Sequence, residues 1–392
     1  MKEKKVSAIG ERALISLLSE IFKVPAKKGN ERGKENSKES CNESPGKLPF
    51  PGELLVGPGS DDCAVFALGE EDCLVVTTDM LHRTTDFPEG MTPWQIGWMS
   101  AAVNLSDIAA MGARPIGLLM AIGMPAETEI SFTRELAKGI KACTDFCETS
   151  VAGGDLDTHK ELTITGTALG LVKKSQLLRR SGARPGDLIC VTGHAGSAGA
   201  GLELLSGFQS KQRGINLSMN LKGKSRINKE NKENKENNDN GKKANEILIK
   251  NLLEPVPRTR EAQILAASGA VTSMMDTSDG LAMSLHDLAK ASKAGFKLLE
   301  NSLPISQEVR NFALTTENPS EKLLELALYT GGDFELLFTI SPGKLNRVQN
   351  ICNFTVIGIC TEYRKGILLE HPNGRIDPIE PKGYQQLKTE SD

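Results

Sequence analysis

Carboxylates recur at the ends of apolar runs along this chain. Asp61 and Asp62 stand in GSDD, Asp79 in VVTTDM, Asp155 and Asp157 in AGGDLD, and Asp276 and Asp279 in MDTSDG. Each alone has a plain reading, because an Asp between a strand and a helix accepts hydrogen bonds from unpaired helical N–H groups. The adjacent Asp61 and Asp62 repel each other, so they either cap a turn or face a positive charge. Asp107 resists the capping explanation. It follows Asn104 by three residues inside the apolar run WMSAAVNLSDIAAM, where an unpaired buried carboxylate costs roughly several kcal/mol. It needs a cation, yet between Gly57 and Ala113 the basic side chains are His82 and Arg83. A divalent metal would supply the match, and oxygen donors from Asp, Ser, Thr and carbonyls suit Mg²⁺ rather than zinc or copper.

Glycine-rich turns extend the argument to a polyphosphate. Gly153 to Asp155 and Gly331 to Asp333 both read GGD, and Gly193 to Gly201 reads GHAGSAGAG. Such turns let backbone N–H groups approach anionic oxygens, although the same small residues would equally permit close packing. Arg179 and Arg180 either touch phosphate or stand solvated in a linker. Histidine occurs five times, and neither GxSxG nor HxxxH is present. The absence of a covalent nucleophile device suits phosphoryl transfer, which runs on positioning and charge neutralisation.

The chain that must position these groups has 392 residues, enough for two domains. A net charge of −3 and 4% aromatic residues give no basic field and few stacking platforms, so nucleic acid is not an expected partner. The eight cysteines lack CxxC spacing and read as reduced core residues; Cys143 and Cys147 lie one helical turn apart without a second pair to complete a metal site. No run approaches the ~20 apolar residues of a membrane span. A cytoplasmic protein is expected.

Two polar stretches, 27–47 and 222–243, bury too little apolar surface to offset ordering entropy and are expected to be flexible insertions. The second holds Gly223-Lys224-Ser225, but Ser218 stands where a phosphate loop needs its first glycine, so the match is chance. Between the insertions, strands such as CLVVTTDM and ELTITGTALGLV alternate with helices such as PWQIGWMSAAVNLSDIAA. The pattern predicts an α+β protein with an N-terminal α/β domain over 1–178. A C-terminal α+β domain, opened by the turn in RSGARPGD, follows over 179–392.

Assembled in order, GSDDCAVF, TTDML, AVNLSDIAAMGARP, AGGDL, RSGARPGD, MDTSDGL and DFELLFT resemble the thiamine-monophosphate kinase family. Its superfamily includes aminoimidazole ribonucleotide synthetase, selenophosphate synthetase and the hydrogenase-maturation dehydratase. The likeness spans nearly the whole chain outside the insertions. It implies a homodimer whose N-terminal sheets join, with ATP as co-substrate and several Mg²⁺ in a cleft. It implies metal ligation by Asp62, Thr77, Thr78, Asp79, Asp107, Asp155, Asp276 and Asp279. Asp107, Asp276 and Asp279 would be central to catalysis, and Gly154, Asp155, Arg180 and Ser278 would contact nucleotide. The implied reaction converts thiamine monophosphate to thiamine diphosphate by in-line transfer of the γ-phosphate. At the acceptor site the chain departs from the pattern: Asp86 stands in place of a His and Gly332 in place of a Glu, while Tyr384 matches a C-terminal aromatic. Ala137 falls where an aromatic near the nucleotide is usual. Another phosphorylated acceptor, or a non-catalytic nucleotide-binding protein, are the alternatives at this stage.

Overall fold

The computed structural model describes residues 11–22, 52–212 and 232–384. The stretch 27–47 lies outside the described residues. An amphipathic helix, α1 (Glu11–Ile21), precedes two α/β units built on separate sheets.

The first sheet holds β1 (Leu54–Val56), β2 (Ala64–Ala67), β3 (Asp72–His82), β4 (Arg114–Met124), β5 (Val151–Thr158) and β6 (Thr163–Lys173). Its order is β1-β2-β3-β6-β4-β5, antiparallel apart from the β4–β5 pair. Along β3, Cys73, Val75, Thr77 and Leu81 are buried and the residues between them are not, the period-two pattern of a half-covered sheet. Helices α2 (Pro93–Ala110) and α3 (Ile130–Phe146) cover the buried face. The other face carries Met80, Ile116 and Leu119, at 52%, 39% and 40% exposure. All of β5, at the edge, is exposed.

The second sheet contains β7 (Leu188–Val191), β8 (Val271–Asp276), β9 (Ala294–Leu299), β10 (Leu336–Ile340), β11 (Thr355–Glu362), β12 (Ile367–Glu370) and β13 (Ile376–Pro378). Its order is β13-β12-β9-β11-β7-β10-β8, antiparallel except for β12 against β9. Helices α6 (Thr259–Ser268) and α7 (Leu281–Ser292) pack on it, and α4 (Ser197–Gln212) and α5 (Lys232–Leu253) pack on each other. The mixed, two-sheet α+β architecture expected from the sequence is present.

The stretch 222–243, expected as an insertion, falls partly within a described helix. Residues 222–231 lie outside the described residues, but 232–243 belong to α5. Lys and Glu are good helix formers, and a helix already nucleated by the apolar ANEILIKNLL segment propagates at low cost into the polar repeat.

The element that matters most for the site is α2. Thr92 and Gln95 form a reciprocal capping box with Pro93 at the first helical position, and Gly112, at φ +69°, turns the chain out into β4. The helix is apolar on nearly all sides because it is enclosed between β3, β6 and α3 on one flank and β8 and α6 on the other. It approaches α3 through glycines: a Cβ at Gly97 would stand 2.0 Å from the Leu136 carbonyl oxygen, and one at Gly139 1.8 Å from that of Trp94.

Candidate active site

Three carboxylates from separate parts of the chain meet beside α2, which packs on β3 of the first sheet and β8 of the second. Oxygens of Asp62, before β2, Asp107, on α2, and Asp276, ending β8, all lie within 4.8 Å of one another. Asp107 and Asp276 are held by neutral donors. The Thr77 hydroxyl donates to Asp107 at 2.6 Å, the Ser106 hydroxyl to Asp276 at 2.6 Å, and the Ser278 hydroxyl to the other Asp276 oxygen at 2.9 Å. Asp79 joins from β3, its backbone N–H donating to the Asn104 side-chain oxygen at 3.1 Å.

The charge of this cluster is poorly matched by protein. Burial, then Asp79, Asp276 and Asp62, push the Asp107 carboxyl well above the usual range. Burial and Asp276 raise Asp79 to about 6, and burial with Asp62 raises Asp276 to about 6. Arg180 reaches in from 118 positions away: its guanidinium lies 2.5 Å from Asp62 and 3.7 Å from Asp287. The window from Gly57 to Ala113 could not show this partner. Asp61 accepts the Arg180 backbone N–H at 3.1 Å and pairs with Arg179 at 3.3 Å, so it fixes the turn. The second Asp62 oxygen is buried without any hydrogen-bond partner. An orphaned carboxylate oxygen among clustered all-oxygen donors, with one guanidinium against several acids, fits a hard dication such as Mg²⁺.

The positions singled out in the sequence separate into groups. Asp62, Thr77, Asp79, Asp107, Asp276 and Ser278 gather on the helix-covered side. Asp279 lies nearby at 46% side-chain exposure and pairs with Arg12 at 3.0 Å. Thr78 points to the opposite, open face, donating to the Gly166 carbonyl at 2.7 Å. Gly154 and Asp155 sit apart: Asp79 pairs with Gly166, Gly166 with Met120, and Met120 with Gly154. That is three strands across the sheet, about 14 Å at the usual strand spacing. Asp86, Gly332 and Tyr384 line one cleft of about 630 Å³ together with Thr78, Asp79, Asp107, Ser278 and Asp279. Asp86 is anchored by the His82 backbone N–H and the Thr85 hydroxyl, both at 2.7 Å.

Sequence reasoning missed Ser106, Arg12 and Asp287. Arg12 bridges Asp279 and Asp287, the latter at 2.5 Å, from 275 residues away. Only the Asn104–Asp107 spacing signalled that this helix face carried polar work.

Metal-free and metal-bound protein should differ in their response to pH. Asp79 and Asp276 titrate near 6 in the folded protein against 3.8 in an open chain. Their contribution to stability is therefore fully present below about pH 4 and lost as pH rises through about 6. A dication that binds the ionised forms reverses the loss. Saturating Mg²⁺ should raise the melting temperature by about 5 °C or more at pH 7.5 and by much less at pH 5, as thermal scans with and without EDTA would measure.

The profile of AIR synthase related proteins matches the chain twice, its N-terminal domain at residues 60–172 and its C-terminal domain at 184–368. The chain is 42% identical over 289 residues to the thiamine-monophosphate kinase of Methanospirillum hungatei, covering 74% of this chain and 82% of that protein. It is similar to the crystal structure of the thiamine-monophosphate kinase from Stenotrophomonas maltophilia, with TM-score 0.63, 30% identity, and coverage of 81% and 91%. The fold also follows a structure described as AaThiL complexed with AMPPCP and TMP, with TM-score 0.74, 24% identity, and coverage of 98% and 100%. With 42% identity over three quarters of the chain and both AIR synthase related domains matched, the chain belongs to the thiamine-monophosphate kinase family of the AIR synthase related proteins.

Proposed function

We propose that this chain transfers the γ-phosphate of ATP to thiamine monophosphate, giving thiamine diphosphate and ADP. The observation that carries the reading is the convergence of Asp62, Asp107 and Asp276, with Asp107 also lining a cleft that holds apolar side chains such as Met99, Val103, Leu252 and Phe334. A phosphorylated heteroaromatic acceptor matches both features. The kinase named among its relatives supports the substrate assignment.

Asp62, Thr77, Asp79, Asp107 and Asp276 would hold Mg²⁺, with Asp279 at the cleft margin. Bound Mg²⁺ would neutralise phosphate oxygens, which otherwise repel an anionic acceptor. The chain's own part is orientation. Thr77 and Ser106 fix two of the carboxylates, and Arg180 and Ser278 stand beside them as contacts for nucleotide. The acceptor phosphate oxygen is already anionic, so attack in line on the γ-phosphorus needs no general base. Asp86, Gly332 and Tyr384 border the acceptor.

The protein acts as a homodimer in this reading, in a cytoplasmic setting. Gly154 and Asp155 lie too far across the sheet to reach their own chain's cluster, and Asp155, in register with Ala121, Thr165 and Met80, shares the open face of the first sheet with Met80, Ile116 and Leu119. A second copy packed on that face would cover the apolar residues and bring its own Asp155 toward Thr78. Two inactive variants, Asp107→Asn and Asp155→Ala, should then complement when co-expressed, recovering about a quarter of wild-type activity, since half the dimers would hold one intact site. Turnover of the co-expressed pair measures this.

The reading is tested by incubating purified protein with MgCl₂, ATP and thiamine monophosphate and following thiamine diphosphate by fluorescence after oxidation. Formation of ADP without thiamine diphosphate would point to another acceptor.

A further inference from the structure

The segment Gly331 to Glu335 carries an unusual backbone. Gly332 has φ +96°, and two residues later Phe334 has φ +52°. The first is ordinary for glycine; the second places a bulky aromatic in the left-handed region, where Cβ crowds the following carbonyl and which residues of this kind seldom occupy. A glycine or asparagine would make the same turn without strain. The ring of Phe334 therefore has to be where it is for some reason other than the turn.

The surroundings show what holds it there. The Asp333 carboxylate accepts the backbone N–H groups of Gly196 at 2.6 Å and Ala198 at 2.9 Å. Glu335 is gripped by Arg258 at 2.7 and 2.5 Å and by the Thr192 hydroxyl at 2.6 Å. The Glu335 carbonyl accepts the Thr277 N–H at 2.8 Å, and the Gly332 N–H donates to the Ser278 carbonyl at 2.8 Å. Both neighbours of Phe334 are thus clamped, and the clamp is shared with the loop that presents Asp276. While Asp333 and Glu335 face the polar pocket of His194, Ser197 and Arg258, Phe334 lines the cleft beside Leu252, Met99 and Val103. It belongs by sequence to the second unit but packs on the core of the first.

We infer that Phe334 is an acceptor-specificity residue: its strained, doubly clamped backbone presents the ring as a wall for the cationic heteroaromatic part of the acceptor, at a distance fixed relative to the acidic cluster. The inference rests on the functional reading above. An aromatic face attracts both a flat ring and a delocalised cation, and the acceptor's thiazolium is both. The nucleotide, held at the acidic end, makes no demand on Phe334.

The test is steady-state kinetics of the full chain with each substrate varied. Phe334→Gly removes the ring while relieving the backbone; Phe334→Leu keeps apolar volume in case the glycine variant does not fold; Phe334→Tyr keeps the ring. Phe334→Gly should raise the KM for thiamine monophosphate by about tenfold or more, and Phe334→Leu by several-fold. The KM for ATP should stay within about twofold of wild type, and Phe334→Tyr should behave like wild type in both. A thiamine monophosphate KM unchanged in the glycine and leucine variants, or equal rises in both KM values, would overturn the assignment while wild-type turnover leaves the functional reading standing. If the wild type forms no thiamine diphosphate, the functional reading fails and this inference with it.

Discussion

Asp107→Asn should abolish most turnover while making the metal-free protein more stable. The substitution keeps the oxygen that accepts the Thr77 hydroxyl bond, observed at 2.6 Å, and keeps the side-chain volume inside α2. What it removes is a charge that burial and three neighbouring carboxylates already disfavour. Relief of that repulsion should raise the melting temperature in EDTA by a few degrees, worth about 1 kcal/mol or more. The same charge is central to the proposed Mg²⁺ site, so kcat should fall by about a thousandfold, comparable to deleting a preorganised electrostatic group in other active sites. The Mg²⁺-dependent rise in melting temperature should shrink as well. The pairing of greater metal-free stability with lost turnover is the signature of a group retained for function. Thermal scans and kcat on the same preparation would measure both, and wild-type turnover would remove Asp107 from the site.

Gly139→Val should have the largest effect on stability. A Cβ there would lie 1.8 Å from the Trp94 carbonyl oxygen and 2.7 Å from its carbon. Backbone atoms of a capped helix cannot retreat as a flexible side chain can, so α3 must move away from α2. The loss extends along a shared core containing Ile96, Leu136 and Ile140, and overpacking of this kind costs about 3 kcal/mol or more. Because α2 also carries Asn104, Ser106 and Asp107, activity should fall together with stability. Gly139→Ala meets the same carbonyl without the branched side chain and should be intermediate. Thermal unfolding of the three proteins would rank them.

Much of the fold could be read from local pattern. Alternating burial along β3 and β6 follows from strand geometry, and the Thr92–Gln95 box with Pro93 marks the start of α2. The polar repeat over 232–243 was harder, because composition alone argues for solvation while a neighbouring apolar segment extends a helix into it. The acidic residues were legible as types, and Asp107 stood out because a charge in an apolar helix demands a partner. The identity of that partner was not legible. Arg180 answers Asp62 across 118 residues, and Ser106 answers Asp276 across 170. No period or spacing encodes a contact made where segments of the two units meet.

By itself the sequence determined which residue types could do the chemistry, and roughly which strand ends they occupy, since burial and capping are governed by near neighbours. Tertiary structure alone decided the grouping. It drew Asp62, Asp107 and Asp276 together, left Gly154 and Asp155 three strands away, and set Phe334 into the cleft in a left-handed backbone. The physical reason is that electrostatic repulsion, register across a sheet and strain in a loop depend on where distant segments are packed, and packing is a property of the whole core.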